Sequence, residues 1–126
     1  MIITDTLSNL FSKIKNGYFS KKSKIIQHKS KQSINILNIL VKEGFIKSYK
    51  INSKNKLDIY LKYKKNKKVI TEIKRLSKPG KRLYINTKDL YKKKKGLYII
   101  STSIGILTDL EAKKLNIGGE LICIIF

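Results

Sequence analysis

Residues 30–63 read SKQSINILNILVKEGFIKSYKINSKNKLDIYLKY, a helix pattern followed by two strand patterns. We predict a helix from Ser30 that ends just before Gly44, because glycine is common directly after a helix end. Phe45–Ile51 and Leu57–Tyr63 have strand composition, and the polar Asn52–Lys56 segment between them indicates a hairpin loop. The apolar face expected for the helix consists of Ile34, Leu37, Leu40 and Val41.

The residues before this stretch extend the unit to the order α-β-α-β-β. Thr4 or Asp5 is the expected N-cap of a first helix, and Asn16-Gly17 is expected to end it. Lys24–Gln27 is a short strand candidate between the two helices. Residues 1–65 are therefore predicted to form an N-terminal α/β lobe, in which two helices cover one face of a small sheet. The apolar residues at helical spacing in the first helix are Leu7, Leu10, Phe11 and Ile14.

The second half, residues 66–126, predicts a β-rich lobe with one short helix. Thr108 and Glu111 have the spacing of a capping box, so that helix should begin there and end near Asn116. The charge run Lys64–Lys68 is interpreted as a solvated linker at the boundary between the lobes, and Lys92–Lys95 is a second charge run. The other expected elements are strands at Val69–Leu76 and Lys81–Ile85 around a Ser77-Lys78-Pro79-Gly80 turn, a helical turn at Thr87–Tyr91, and strands at Leu97–Ser101 and Glu120–Phe126. The fold class is thus α+β, with two lobes that we expect to pack together because each alone is small.

The charge balance is the strongest functional signal in the composition. Among 126 residues there are 29 Lys+Arg and 8 Asp+Glu, a formal net charge of +21, and all the basic residues except Arg75 and Arg82 are lysines. The excess is spread over both halves of the chain. Lysine is a hydrated point charge suited to phosphate, whereas arginine is the planar fork that reads base edges. The expected partner of both lobes is therefore the backbone of a polyanion.

The residue types needed for catalysis or metal binding are scarce. His28 is the only histidine and is expected to be exposed in a polar loop, and Cys123 lies in an apolar run, where it fills a core and has no disulfide partner. The few acids lie among lysines, which disfavours a Mg²⁺ site. We expect no enzyme activity, no metal and no cofactor. No apolar stretch reaches the roughly 20 residues that span a bilayer, so no membrane partner is expected.

Three further features allow two interpretations each. Ser101-Thr102-Ser103 and Gly105 follow an apolar strand, and such hydroxyls either bind phosphate, ribose and base edges or form an ordinary turn. Gly118-Gly119 is best interpreted as a tight turn. The tyrosines of the Lys-rich half either stack on bases or pack in a core, and packing is favoured for each. These tyrosines are Tyr84, Tyr91 and Tyr98.

Five blocks of sequence, in one order, carry a family resemblance. They are Asp5-x-Leu7-x-x-Leu10-x-x-Lys13-Ile14-Lys15-Asn16-Gly17, Lys42-Glu43-Gly44-Phe45-Ile46, Ser77-Lys78-Pro79-Gly80-x-Arg82-x-Tyr84, Ile100-Ser101-Thr102-Ser103-x-Gly105-x-x-Thr108-Asp109, and Gly118-Gly119-Glu120-Leu121-Ile122-Cys123. Together they resemble small-subunit ribosomal protein eight of the bacterial type, the S-eight family, from Asp5 to Cys123. The sequence departs from that family's pattern at Lys78, where arginine is common, at Ile104, where lysine is common, and at His28-Lys29, where Pro-Ser is common. The resemblance therefore implies one phosphate contact fewer at Ile104 and the loss of a bidentate contact at Lys78.

The resemblance implies a structural constituent of the small ribosomal subunit that binds the central domain of its rRNA directly and helps assembly, without catalysis. Its implied partners are that rRNA and neighbouring ribosomal proteins, and it is not implied to be a homo-oligomer. Glu120 is expected to hold the hydroxyl loop in shape. The residues assigned to RNA binding by the resemblance are Thr4, Lys15, Asn16, Ser30, Lys31, Ser77, Lys78, Pro79, Gly80, Arg82, Tyr84, Ser101, Thr102, Ser103, Gly105, Thr108, Gly118, Gly119 and Glu120.

The alternative function is a nonspecific polyanion-binding protein that relies on the charge of +21 alone. The predominance of Lys, Ile and Asn indicates an A/T-rich gene. The expected location is therefore a ribosome, either in an organelle such as a relict plastid or mitochondrion, or in the cytoplasm of an A/T-rich bacterium.

Overall fold

The computed structural model describes residues 6–64, 67–68, 70, 72–77, 80–90 and 96–126. The chain divides into two compact units, Met1–Thr71 and Glu72–Phe126. Both mix helices and strands, and the second is β-rich with two short helices, so the predicted α+β class is confirmed. The packing of the predicted lobes on each other stays a prediction. Predictions for Thr4, Asp5, Lys65, Asn66, Val69, Thr71, Lys78, Pro79, Tyr91 and Lys92–Lys95 lie outside the described residues.

The first unit has the predicted α-β-α-β-β order, followed by two very short strands. Its elements are α1 (Thr6–Phe19), β1 (Lys24–His28), α2 (Lys31–Lys42), β2 (Ile46–Ile51), β3 (Lys56–Leu61), β4 (Tyr63–Lys64) and β5 (Lys67–Lys68). The first three strands form an antiparallel sheet in the order β1-β3-β2. Within the charge run predicted as a solvated segment, β4 and β5 pair with each other. His28 is exposed as predicted, but it ends strand β1 and is not in a loop.

Helix α1 continues through Asn16 and Gly17 to Phe19, so the predicted stop at Gly17 is wrong. A Cβ atom at Gly17 would lie 2.7 Å from Ile25 Cγ2 and 2.8 Å from Leu61 Cδ1. The missing side chain therefore lets the helix lie directly on strands β1 and β3. A glycine that lowers helix propensity is tolerated here because close packing compensates for it.

Helix α2 is bounded by the two local signals in its sequence. The Ser33 amide donates to Ser30 Oγ at 3.1 Å, which makes Ser30 the N-cap. Gly44 has φ +80°, and the Gly44 and Phe45 amides donate to the carbonyls of Val41 and Leu40, a Schellman ending.

The buried face of α2 differs from the predicted one. Val41 is exposed and Ile34 is half-buried, whereas Ser33 and Ile36 are buried. Ser33 can be buried because its hydroxyl accepts from Ser30 Oγ at 2.8 Å. The buried residues of α2 are Ser33, Ile36, Leu37, Ile39 and Leu40.

The second unit is built around its last strand. Its elements are β6 (Ile73–Arg75), β7 (Tyr84–Ile85), α3 (Thr87–Leu90), β8 (Leu97–Thr102), β9 (Gly105–Thr108), α4 (Asp109–Leu115) and β10 (Gly119–Ile125). Strand β10 pairs with β8 along one edge and with β6 and β7 along the other, and β8 pairs with β9. The strands predicted at Val69–Leu76 and Lys81–Ile85 are shorter than expected, and β9 was not predicted.

Helix α4 confirms the capping-box prediction. Glu111 N donates to Thr108 Oγ1 and Thr108 N donates to Glu111 Oε1, each at 3.3 Å, and Asn116 ends the helix with φ +57°. Ala112 of this helix is buried with Ile100, and Tyr98 packs against that pair, so α4 covers one face of the sheet.

Cys123 lies in the core as predicted. Burial raises the pKa of its thiol to about 12, although Arg75 nearby lowers it slightly, so the group is a protonated thiol at neutral pH.

Candidate nucleic-acid interface

Three strands of the second unit bring distant parts of the sequence into one row. Glu120 lies opposite Ser101 of β8 and opposite Tyr84 of β7. Residues directly opposite in antiparallel strands point their side chains to the same face. The next residues, Ile85 and Ile100, belong to the core on the α4 side, so the Tyr84–Glu120–Ser101 row lies on the other face.

The three hydroxyl residues form the end of a tight hairpin, which we call the hydroxyl hairpin (Ser101–Gly105). Thr102 pairs with Gly105, leaving Ser103 and Ile104 as a two-residue turn. Thr102 Oγ1 donates to the Gly105 carbonyl at 2.7 Å and accepts from the Ile104 amide at 3.3 Å. Neither turn residue has positive φ, and the positive φ falls on the next residue, Gly105, at +133°, a conformation that glycine adopts without strain. The segment predicted as a loop is thus a rigid turn between two strands.

Two hydroxyls of this hairpin are available to a ligand. Ser103 is exposed, and its hydroxyl has no hydrogen-bond partner within the part of the chain that the structure describes. Ser101 is half-buried beside Glu120. The Thr102 hydroxyl, by contrast, is occupied by the turn. The hairpin therefore presents Ser103 at its tip and uses Thr102 to hold the tip in shape.

Tyr84 is the exposed aromatic side chain of this surface. It is 69% exposed, so the packing interpretation is wrong for Tyr84. Its register on the short strand β7 places the ring on the sheet face opposite the one that α4 covers. Tyr98 packs against the Ile100–Ala112 core, as favoured from the sequence. One tyrosine is thus free to stack on a base or sugar.

Glu120 forms an ion pair with Arg82. Arg82 Nη1 lies 3.4 Å from Glu120 Oε1, and the Arg82 side chain is 60% exposed. Such an exposed pair adds little stability, typically 0.2–1 kcal/mol, and leaves further guanidinium donors directed to solvent. The structure therefore places the carboxylate beside Arg82, and the predicted support of the hydroxyl hairpin by Glu120 stays a prediction.

Gly118 and Gly119 are required by close approach of the chain. A Cβ at Gly118 would lie 2.4 Å from the Ile85 carbonyl oxygen, and one at Gly119 would lie 2.2 Å from the Ser101 carbonyl oxygen. Neither residue has positive φ, so the tight-turn interpretation is replaced by a steric one. The two glycines let β10 enter between β7 and β8, which is what forms the Tyr84–Glu120–Ser101 row.

Ser77 is buried and holds the segment before strand β7 through hydrogen bonds to Leu83. It is only 2% exposed, and its Oγ accepts from the Leu83 amide at 2.8 Å and donates to the Leu83 carbonyl at 3.1 Å. Arg75 Nε donates to the Ser77 carbonyl. The family resemblance assigns Ser77 to RNA, but its hydroxyl bonds to Leu83 and holds the segment that carries Arg82 and Tyr84.

Ser77→Ala should destabilise the second unit and loosen that segment. Without Oγ the Leu83 amide loses its partner, which costs about 1–2 kcal/mol. The measurement is the urea midpoint by circular dichroism, with Ser53→Ala, an exposed serine in the β2–β3 turn, as the control that should move the free energy by less than about 0.5 kcal/mol. Equal midpoints for the two variants would show that the Ser77 bridge does not stabilise the unit.

Thr108 is also withdrawn from the surface. It is 2% exposed, and its hydroxyl serves the α4 cap. A direct contact of this side chain with RNA is therefore not supported by its position. Gly80 is exposed in its turn, and Lys78 and Pro79 of the same block lie outside the described residues.

The candidate residues of the first unit lie on its two helices. Lys15 and Asn16 are exposed on α1, and Lys31 is exposed at the start of α2 after the Ser30 cap. Thr4 lies outside the described residues. The structure thus groups the candidates of the second unit, and the described candidates of the first unit are Lys15 and Asn16 on α1 and Ser30 and Lys31 at the start of α2. Lys13, Lys22 and Lys24, which no sequence pattern singles out, line a groove of this unit together with Asn16.

Other kinds of site have little support in the described residues. Among them, no group of three or more His, Cys, Asp or Glu side chains could hold a metal ion. No described helix has the length and apolar character needed to cross a membrane.

A lysine-rich α+β chain with an exposed hydroxyl hairpin, tyrosine and arginine on one sheet face belongs to the class of basic proteins suited to nucleic acid. The family model described as Ribosomal protein S8 matches residues 5–126, and the chain belongs to that family. Similar proteins include the small ribosomal subunit protein uS8 of Buchnera aphidicola subsp. Baizongia pistaciae, 42% identical over 98% of both chains. Those of Hahella chejuensis and Halothermothrix orenii are 40% and 43% identical over 100% of both chains.

Proposed function

We propose that this chain is a structural constituent of the small ribosomal subunit, which binds the central domain of small-subunit rRNA directly and helps it assemble. Family membership and the names of the relatives support the small-subunit assignment. The observation that carries direct RNA binding is the hydroxyl hairpin, with Ser103 exposed at its tip and Tyr84 on the neighbouring strand row. Hydroxyls and an aromatic ring can contact ribose, phosphate and unstacked bases of an irregular RNA helix.

The principal RNA contact is assigned to the predicted C-terminal lobe, residues 66–126. Ser101, Ser103, Arg82 and Tyr84 make direct contacts, while Ser77, Thr102, Thr108 and the two glycines hold them in place. The partners are the rRNA and neighbouring ribosomal proteins, and the protein acts as a single copy without catalysis. The relatives named above are bacterial, and nothing in them favours an organelle over a bacterial ribosome.

The test is binding to two RNAs, the source's own central-domain fragment and a scrambled fragment of equal length. Ser103→Ala should weaken binding of the native fragment by roughly 10-fold, because a polar group of the RNA left without its hydrogen-bond partner in the contact costs about 1–3 kcal/mol. Its effect on the scrambled fragment should stay within about 2-fold, since nonspecific binding depends on charge. Ser53→Ala, at another exposed turn, should leave both affinities unchanged.

The second candidate is a nonspecific polyanion binder, which the net charge of +21 favours. It predicts equal affinities for the native and scrambled fragments. It also predicts that Ser103→Ala, which removes no charge, changes neither affinity. Those two results together would replace the ribosomal assignment with the nonspecific one.

A further inference from the structure

Glu120 places a carboxylate in the middle of the surface that the Tyr84–Glu120–Ser101 row forms. Its neighbours across the strands are a tyrosine and a serine, and within the described part of the chain Arg82 is its only hydrogen-bond or ion-pair partner. The whole chain has 8 acidic residues against 29 basic ones. An acid at the centre of a surface suited to a polyanion opposes attraction by charge, so its presence there calls for a physical role.

The sheet fixes the position of this carboxylate. At Glu120, strand β10 has a partner on each side, β7 and β8. The Glu120 side chain is only 22% exposed, whereas that of Arg82 is 60% exposed. An acid on an exposed loop could turn away from an approaching anion, but a largely covered one on a central strand has little room to do so. An anion that approaches the row therefore meets the carboxylate.

The ion pair with Arg82 neutralises the carboxylate only in part. One contact joins the two side chains, from Arg82 Nη1 to Glu120 Oε1 at 3.4 Å. A bidentate pair would be shorter and would occupy both carboxylate oxygens. Glu120 Oε2 has no hydrogen-bond partner among the residues that the structure describes. This oxygen can accept from a hydroxyl or amino donor, but it repels a phosphate, which offers only acceptors and negative charge.

We propose that Glu120 determines specificity by excluding phosphates from the centre of the row. The inference rests on the proposed function for the identity of the polyanion. A nonspecific RNA is held through its phosphates, which the carboxylate repels and with which it competes for Arg82. An RNA whose shape brings hydroxyl or amino donors to the row, with phosphates only at its margin, does not meet that repulsion. Glu120 thus weakens binding of the wrong RNA more than binding of the right one, and specificity is that difference in affinity.

The test compares two variants that each remove one negative charge from the second unit. E120Q alters the row and keeps an acceptor oxygen in it. E72Q alters an exposed carboxylate that lies 4.0 Å from Lys74 Nζ. Glu72 comes just before β6, which pairs with the opposite end of β10. Both variants therefore take one acid from beside one base, and only E120Q does so within the row. Thermal midpoints by circular dichroism establish that both variants fold.

E120Q should tighten binding of the scrambled fragment by about 3–10-fold at physiological salt, because a phosphate can then take the place of the carboxylate beside Arg82. The slope of log affinity against log salt for that fragment should become steeper by roughly 0.7–0.9, the increment of one phosphate contact. The affinity for the native central-domain fragment should change by less than about 2-fold, so the preference for it falls. E72Q should change both affinities by less than about 2-fold, because its charge is lost away from the row.

Equal effects of E120Q and E72Q on the scrambled fragment would overturn the proposal, because Glu120 would then act only through net charge. A loss of native binding by E120Q without a gain on the scrambled fragment would overturn it too, since Glu120 would then support the hydroxyl hairpin or contact the RNA directly. The outcome is separable from that of the proposed function. If the wild-type protein fails to prefer the native fragment, the ribosomal assignment fails, yet the scrambled fragment still shows whether Glu120 repels phosphate. If Ser103→Ala weakens the native fragment selectively while E120Q behaves as E72Q does, the function stands and the exclusion does not.

Discussion

Gly119→Ala is expected to destabilise the second unit by about 4 kcal/mol or more, a large part of the 5–15 kcal/mol that stabilises a typical domain. The new Cβ would lie 2.2 Å from the Ser101 carbonyl oxygen and 3.0 Å from Ile100 Cγ2. The nearest atom is backbone, so relief requires β8 and β10 to separate where Glu120 pairs with Ser101. The measurement is the free energy of unfolding in urea, followed by circular dichroism.

Two other glycines of the same unit serve as matched controls. Gly80→Ala places its Cβ in open space without positive φ, and the free energy of unfolding should change by less than about 0.5 kcal/mol. Gly105→Ala also meets open space, but φ is +133°, so backbone strain alone should cost about 1–3 kcal/mol. A result in which Gly119→Ala resembles Gly80→Ala would mean that β8 and β10 do not approach as closely as described.

The same substitution tests how the surface is assembled. If Gly119 sets the distance between β8 and β10, the Tyr84–Glu120–Ser101 row depends on it although the residue has no polar side chain. Native RNA should then be bound more weakly by Gly119→Ala than by Ser103→Ala. If Gly119 only contacted RNA, the substitution would leave the stability of the free protein unchanged. If Gly119 lets the strands approach, the free protein loses stability even without RNA.

Features set by neighbouring residues were predictable from the sequence. The Ser30 cap, the Gly44 ending and the Thr108–Glu111 capping box all depend on contacts within five residues. Each of these signals places an element boundary within one or two residues of the observed one. Local hydrogen bonds of this kind are the same in any tertiary context, which is why sequence alone is sufficient.

Features set by contacts between distant residues were not predictable. Gly17 indicates a helix stop by propensity, yet Ile25 and Leu61 make it a packing position inside α1. Strand β9 has only four residues, too short for its alternation to show, and forms because Thr102 pairs with Gly105. The apolar periodicity of α2 did not predict that Ser33 is buried. A serine can be buried there only because its hydroxyl has a hydrogen-bond partner, Ser30, which the apolar pattern does not show.

The candidate site shows the same division. The family resemblance assigns Ser77, Thr108 and Ser103 alike to RNA binding. All three carry a hydroxyl, and the sequence does not show which of these hydroxyls is exposed. The structure does, because the hydroxyls of Ser77 and Thr108 are buried and bonded within the chain, while that of Ser103 is exposed. Which hydroxyls remain for a ligand depends on the pairing of β7, β8 and β10, and that pairing joins residues up to 36 positions apart.

Salt is expected to weaken binding to the scrambled RNA fragment by roughly 10³–10⁵-fold between 50 and 200 mM, the range for 6–10 phosphate contacts. Nearly all of the 29 basic residues are lysines spread over both units, so counterion release dominates nonspecific binding. The effect is measured for both fragments by equilibrium binding across a salt series, with one protein preparation at one temperature.

The native fragment should lose affinity with a similar slope but remain at least about 10³-fold tighter at physiological salt, as specific complexes do. The contacts of Ser103 and Tyr84 carry no net charge, so salt does not remove them, whereas it weakens every lysine contact in both complexes. Ser103→Ala should therefore lower the native curve without changing its slope. Native and scrambled curves that coincide at all salt concentrations would mean that charge alone holds the RNA, and that the exposed hydroxyl hairpin contributes nothing to its recognition.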